Sequence, residues 1–134
     1  MAPLSLSHSS IDDGVVRELR QALADLGQAV WIDSRQLKGG DPLWSAIREA
    51  MEAAAGLAVL VSPDALQSDW VAKELKHGLK LQSERGRAAF PVVLLTLDGT
   101  RPGSLAGYFD EQPIHIPVSS APGGATAEIG RAHV

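Results

Sequence analysis

An aromatic ring and a carboxylate fall on one face of a predicted helix in the stretch SDWVAKEL, residues 68–75. Ser68 is a good N-cap, because its hydroxyl can accept a hydrogen bond from an amide of the first helical turn. A helix is therefore predicted to begin at Asp69, with Trp70 and Glu74 at positions i and i+4. A solvated face rarely contains Trp and a core face rarely contains Glu. The pair is therefore a candidate functional site.

Trp70 and Glu74 together suit chemistry at a glycosidic bond. A Trp ring can stack on a base or a pyridine ring. A nearby carboxylate can stabilise positive charge as a glycosidic bond breaks through an oxocarbenium-like transition state. Only one such carboxylate is evident, so a two-carboxylate glycosidase is not supported. The structural alternative packs Trp70 partly on a sheet and leaves Glu74 in solvent beside Lys73, Lys76 or His77, and the pattern alone leaves both interpretations open.

Predicted strands and helices alternate along the chain. The strands are predicted at 4–7, 28–33, 56–61, 89–97 and 113–118. The helices are predicted at 14–26, from about 42 to 54, at 69–85 and, as at most a short segment, at 125–134. The third and fourth strands are apolar throughout, which is typical of strands buried on both faces. The predicted fold is therefore α/β and flavodoxin-like, with a five-stranded parallel sheet in the order 2-1-3-4-5 and helices on both faces.

This architecture predicts where a ligand would bind. Open parallel sheets bind ligands outside the carboxyl ends of their strands, near the point where the strand order reverses. The segments that follow the first three strands, at 7–12, 33–41 and 62–74, all reach that edge. Trp70 and Glu74 belong to the third of these segments, so the candidate pair lies at the edge where ligands are expected.

Composition limits the function further. The 134 residues are 45% hydrophobic and 21% charged, as expected for one soluble globular domain. The formal charge of −4 argues against general binding to nucleic acid or to an acidic membrane. The chain has no cysteine, no secretory signal and no apolar run of the roughly 20 residues that a membrane span needs. We therefore expect a cytoplasmic domain without membrane or direct nucleic-acid partners.

Several other site types are not indicated. Asp12 and Asp13 suggest a phosphorylated receiver domain, but the third strand ends at Ser62 instead of an Asp, and no Lys follows Ala89. The four histidines lack metal-ligand spacing, so no metal is expected. No dinucleotide or phosphate-loop glycine motif occurs. Ser62 also lacks the flanking glycines of a hydrolase nucleophile. We therefore expect neither a metal nor a bound cofactor.

Three motifs in order resemble those of Toll/interleukin receptor (TIR) domains. LSHSSIDD follows the first strand, VWIDSRQLKGGDPLWSAI contains the second strand and its loop, and LAVLVSPDALQSDWVAKEL contains the third strand and a W-x-x-x-E signature. Together they cover about residues 4 to 81. The order and spacing of the three motifs carry the resemblance.

The resemblance implies that the domain is an NAD+ glycohydrolase. Many bacterial, plant and axonal TIR domains cleave NAD+ at the nicotinamide–ribose bond, using the Glu of W-x-x-x-E as the catalytic residue. That Glu corresponds to Glu74, so NAD+ is expected as the substrate. The residues that the resemblance places in substrate binding are Trp70, Ser7, His8, Ser9 and Lys38.

The resemblance also implies self-association with other TIR domains. The loop after the second strand is expected to pack against a neighbouring domain through Leu37, Gly39, Gly40 and Asp41. We expect the chain, residues 1–134, to be a single N-terminal effector domain of a longer protein that carries a sensor domain and acts in bacterial, antiphage immunity. Two alternatives remain open: a non-enzymatic TIR adaptor, and a TIR cyclase that makes a cyclic ADP-ribose signal.

Overall fold

The protein is an α/β domain whose strands and helices alternate. The computed structural model describes residues 2–32, 43–110 and 113–120. The strands are β1 (Leu4–Ser7), β2 (Val30–Ile32), β3 (Gly56–Val61), β4 (Val92–Leu97) and β5 (Ile114–Val118). The helices are α1 (Asp13–Asp25), α2 (Leu43–Ala53), α3 (Pro63–Leu66) and α4 (Asp69–Arg85), with 3₁₀ turns at Ser10–Asp12 and Gly103–Tyr108.

The five described strands form one parallel sheet in the order β2-β1-β3-β4-β5. This confirms the predicted flavodoxin-like fold, including the edge position of β5. In the register of β1 with β3, Ser7 lies beside Val59. The strand order reverses between β1 and β3, so the segments after these two strands flank the expected ligand-binding edge.

The core has two layers because side chains along a buried strand alternate between the two sheet faces. One face of β3 packs with α2, α3 and α4, and the other face packs with α1. Towards α4 the strand directs Leu57, Val59 and Val61, and towards α1 it directs Ala58 and Leu60. All five are at most 1% exposed. This confirms that β3 is buried on both faces.

A glycine allows α4 to lie close to the sheet. A Cβ atom added to Gly78 would come within 2.4 Å of the Cδ2 atom of Leu57. Real Cβ atoms do not approach a carbon this closely, so a larger residue would require the buried end of the Leu57 side chain to shift. Gly78 lies one helical turn after Glu74, so this close contact with β3 lies next to the part of α4 that carries Glu74.

Two strands were predicted to begin earlier in the sequence than they do. The second strand was predicted from residue 28, but the amide of Gln28 donates to the carbonyl of Leu23 (2.8 Å) and so completes the end of α1. The fourth strand was predicted from residue 89, but the amide of Phe90 donates to the carbonyl of Gly86 (3.0 Å). Pro91 then separates that turn from β4. The predicted segment 125–134 lies outside the described residues, and no helix within the described ones has the length and apolarity to cross a membrane.

Candidate functional site

The helix that carries the candidate pair begins where the sequence predicts. The Ser68 hydroxyl accepts a hydrogen bond from the amide of Val71 (3.2 Å), and Asp69 begins α4. An N-cap of this kind contributes about 1 kcal/mol to helix stability. The cap therefore sets the start of α4.

Glu74 is buried, with 1% of its surface exposed. The Ser7 hydroxyl donates a hydrogen bond of 2.8 Å to its Oε1 atom. The interpretation of Glu74 as a solvated residue is therefore wrong. The reason is the close packing of α4 on the sheet, which turns Glu74 towards the end of β1 instead of towards water. The carboxylate and Ser7 belong to two different elements that meet at the carboxyl edge of the sheet.

The residues after β1 form a buried polar segment. Ser7, His8 and Ser9 are 0%, 4% and 7% exposed. The Nε2 atom of His8 lies 3.0 Å from Oδ1 of Asp13 and donates to it, because a carboxylate can only accept. These three of the five residues that the resemblance assigns to substrate binding thus lie at the same edge as Glu74, and their direct contact with a substrate stays a prediction.

Asp12 is a second buried carboxylate at this edge, and the sequence analysis did not identify it as part of the site. The Ser62 hydroxyl donates to its Oδ2 atom over 2.5 Å. The same Ser62 oxygen accepts from the amide of Ala65 (3.0 Å) and so caps α3. This chain of hydrogen bonds links the segment after β1 to the segment after β3. In the sequence, this pair could have been recognised from an Asp that follows one strand and a capping Ser that follows the neighbouring strand.

Trp70 is half-buried and lies against a second tryptophan. Its ring meets the ring of Trp44 edge to face, with the centroids 5.8 Å apart. The Lys73 ammonium lies 4.4 Å from the Trp44 centroid and 5.6 Å from that of Trp70. Both distances are within the range of cation–π attraction. Sequence reasoning missed Trp44, although its i+3 spacing to Ile47 indicates the inward stripe of α2.

His77 lies on the other side of Trp44. The two rings meet edge to face at a centroid distance of 5.8 Å. The buried Nε2 atom has no hydrogen-bond partner among the described residues, and Oε1 of Glu52 is 3.7 Å away. Burial lowers the pKa of His77 below its ordinary value of 6.5. The attraction of Glu52 opposes this shift but is smaller than the effect of burial, so the ring is neutral near pH 7.

We expect His77 to make the domain less stable in mild acid. Because its pKa is lower in the folded state, the unfolded chain binds a proton first as the pH falls through about 6.5. The free energy of unfolding should therefore decrease below that pH. Urea denaturation at about pH 7.5 and about pH 5.5 measures the decrease, which His77→Gln should reduce. The exposed His115→Gln is the control, and an equal decrease in wild type and His77→Gln would contradict the expectation.

A surface cavity lies away from these residues. Its volume is about 270 Å³, and it lies beside the amino ends of β4 and β5 and the second half of α4. Its lining includes Leu79, Gln82, Tyr108, Phe109 and Ile114, and none of the predicted site residues. The carboxyl ends of the strands lie at the opposite edge, so the polarity of the sheet favours the Glu74 edge as the candidate site.

Five of the predicted residues lie outside the residues that the structure describes. Lys38 and the assembly loop with Leu37, Gly39, Gly40 and Asp41 fall outside the described residues. Within the described ranges, no group of three or more His, Asp or Glu side chains could hold a metal ion.

Comparison with known proteins agrees with the fold. A family model described as "TIR domain" matches residues 5–119. A protein of Bacteroides thetaiotaomicron named "2' cyclic ADP-D-ribose synthase BtTIR" is 32% identical over 88 residues. The alignment covers 65% of this chain but 31% of that protein, so the chain spans about a third of the relative's length.

Solved structures share the fold at low sequence identity. The TIR domains of the activated Roq1 resistosome have a TM-score of 0.62 at 22% identity, covering 80% of this chain and 63% of theirs. The TIR domain of the Toll-related receptor TRR-2 from Hydra magnipapillata has a TM-score of 0.60 at 17% identity, covering 86% and 84%. A TIR-STING receptor from C. gigas has a TM-score of 0.70 at 15% identity, covering 97% and 39%. The chain belongs to the TIR domain family.

Proposed function

We propose that this TIR domain cleaves NAD+ at the nicotinamide–ribose bond, with Glu74 as its catalytic carboxylate. The observation that carries the proposal is the buried carboxylate of Glu74, fixed by Ser7 at the carboxyl edge of the sheet. The bacterial relative named as a cyclic ADP-ribose synthase supports the same substrate class. NAD+ is the substrate in this proposal, and no further cofactor is required.

The reaction needs a fixed negative charge beside the ribose. The bond from the ribose carbon to the pyridinium nitrogen breaks, its electron pair leaves with neutral nicotinamide, and positive charge develops on the ribose. Glu74 stabilises that charge electrostatically, and such stabilisation is strong in a site that excludes water. Trp70 offers a flat surface for stacking a ring of the dinucleotide.

The product depends on what attacks the ribosyl cation. Attack by water gives ADP-ribose and releases one proton. Attack by a hydroxyl of the same molecule gives a cyclic ADP-ribose and also releases one proton. The name of the bacterial relative favours the cyclic product, and both products follow from the same role of Glu74.

A purely non-enzymatic adaptor is the competing function. Such an adaptor has no need of a buried carboxylate, and burying a charge is costly unless it is compensated by hydrogen bonds or paired charges. The burial of Glu74 and its hydrogen bond with Ser7 therefore favour an enzyme. We further propose that the domain is the effector part of a longer immune protein that also carries a sensor domain.

We propose that self-association activates the domain. Glu74 is 1% exposed, so a ribose can reach it only in an open conformation in which the residues that cover the carboxylate have moved aside. If that conformation is populated only a fraction of the time, the apparent activity is reduced to that fraction of its full value. A neighbouring TIR domain that binds the open conformation, through residues 37–41 in our proposal, would raise its population.

Specific activity should therefore rise with protein concentration. We expect an increase on the order of 10-fold or more between dilute and clustered protein. Nicotinamide release measured across a concentration series, together with light scattering, tests this expectation. Gly40→Glu should suppress the increase by adding bulk and charge to the loop. A flat specific activity from a protein that stays monomeric would contradict activation by assembly.

Solvent labelled with ¹⁸O separates the two products. Hydrolysis adds one labelled oxygen to ADP-ribose, whereas cyclisation adds none and gives a product lighter by one water. Mass spectrometry of the reaction mixture reads both. Unchanged NAD+ in the presence of clustered, folded protein would contradict the proposed function and favour the adaptor.

A further inference from the structure

The structure points to a role for Ser7 that differs from substrate binding. Ser7 is completely buried, and the one proton of its hydroxyl is donated to Oε1 of Glu74. A hydroxyl has only one proton, so none is left to donate to a ligand while this hydrogen bond is intact. We infer that Ser7 is a positioning residue that holds the Glu74 carboxylate in place for the proposed NAD+ cleavage.

Both partners of this hydrogen bond belong to rigid elements. Ser7 is the last residue of β1, which pairs with β2 on one side and β3 on the other. Glu74 lies in α4, whose neighbours Val71, Leu75 and Gly78 are all buried against the core. A carboxylate held between a central strand and a packed helix has little freedom to turn. This is the condition for an electrostatic group to act without reorganisation during the reaction.

The hydrogen bond also favours one protonation state. A donor to a carboxylate stabilises the ionised form, and the ionised form is the one that can stabilise a ribosyl cation. Loss of the Ser7 hydroxyl should therefore affect both the orientation of Glu74 and the pH range in which it is charged. A residue that only contacts substrate would have neither effect.

Three serine variants separate positioning from a merely structural role. Ser7→Ala removes the donor, and Ser7→Thr keeps a hydroxyl at the same position. Ser68→Ala is the matched control, because Ser68 caps the same helix and its loss weakens α4 without touching Glu74. Nicotinamide release by clustered protein is measured as kcat and KM across a pH series for each variant.

Ser7→Ala should lower kcat on the order of 10-fold while KM changes by less than about 3-fold. The acid limb of its pH–rate profile should move to higher pH, because the charged carboxylate has lost a donor. Ser7→Thr should restore most of the kcat and the wild-type acid limb, and Ser68→Ala should leave the acid limb in place. A higher KM with unchanged kcat and acid limb in Ser7→Ala would overturn the inference and make Ser7 a substrate contact.

A spectroscopic measurement keeps this inference separate from the proposed function on which it rests. The ¹³C carboxyl signal of Glu74, assigned by its loss in Glu74→Gln, can be titrated in the folded domain without substrate. Its midpoint should move to higher pH in Ser7→Ala, and not in Ser68→Ala, even if the wild-type protein proves inert towards NAD+. An unmoved midpoint in Ser7→Ala would overturn the positioning role of Ser7.

Discussion

Glu74→Gln should lower NAD+ cleavage by a factor on the order of 100 or more, while the domain stays folded. The amide keeps the size of the side chain and an oxygen that can accept from Ser7, but it has no negative charge. The loss should therefore appear in kcat and reflect transition-state stabilisation. Nicotinamide release by clustered wild-type and variant protein measures it.

Comparison of Glu74→Ala with Glu74→Gln separates the effect of the lost charge from the effect of the lost packing. The alanine leaves the buried Ser7 hydroxyl without its acceptor, which costs about 1–3 kcal/mol in the free energy of unfolding. This is more than a solvated Glu would lose, because Glu74 is buried. Glu84→Gln, at an exposed position of the same helix, is the control for both variants. Normal turnover by a folded Glu74→Gln domain would show that the carboxylate is not catalytic.

Trp70→Ala should raise KM for NAD+ by a factor on the order of 10, because a stacking surface is lost. The ring is half-buried and packs against Trp44 and the core, so the domain should also lose stability. We expect a loss of about 2 kcal/mol, below the 3–5 kcal/mol of a fully buried ring. Steady-state kinetics and urea denaturation measure the two effects separately.

Trp70→Phe is the matched variant for this prediction. It keeps an aromatic face and most of the packing, so it should retain the greater part of both affinity and stability. A Trp70→Ala domain that fails to fold while Trp70→Phe binds NAD+ normally would favour a core role. Equal KM values for Trp70→Ala and wild type would contradict the stacking role.

The sheet order was predictable because the local sequence pattern of a strand indicates whether the strand is buried. Residues 56–61 are apolar throughout, as a strand covered on both faces requires, and all six are buried. The start of α4 was equally predictable, since the Ser68 side chain caps the helix through an amide in the first turn that follows it. Both features depend on residues close together in sequence.

The environment of Glu74 was not predictable in the same way. Its partner Ser7 is 67 positions away, and the pairing depends on how closely α4 packs against the sheet. The same holds for Asp12 and Ser62, which are 50 positions apart. Helical periodicity places Glu74 on a face of α4, but it does not say whether that face meets water or the end of β1.

Cleavage of the nicotinamide–ribose bond of NAD+ is the activity proposed for this domain. Chromatography of NAD+ incubated with clustered wild-type protein tests this activity most directly, with Glu74→Gln in parallel. We expect nicotinamide to appear together with ADP-ribose or a cyclic form of it, and NAD+ to remain intact with the variant. NAD+ that remains uncleaved by folded, clustered wild-type protein, or cleavage that is equally fast in Glu74→Gln, would contradict this expectation.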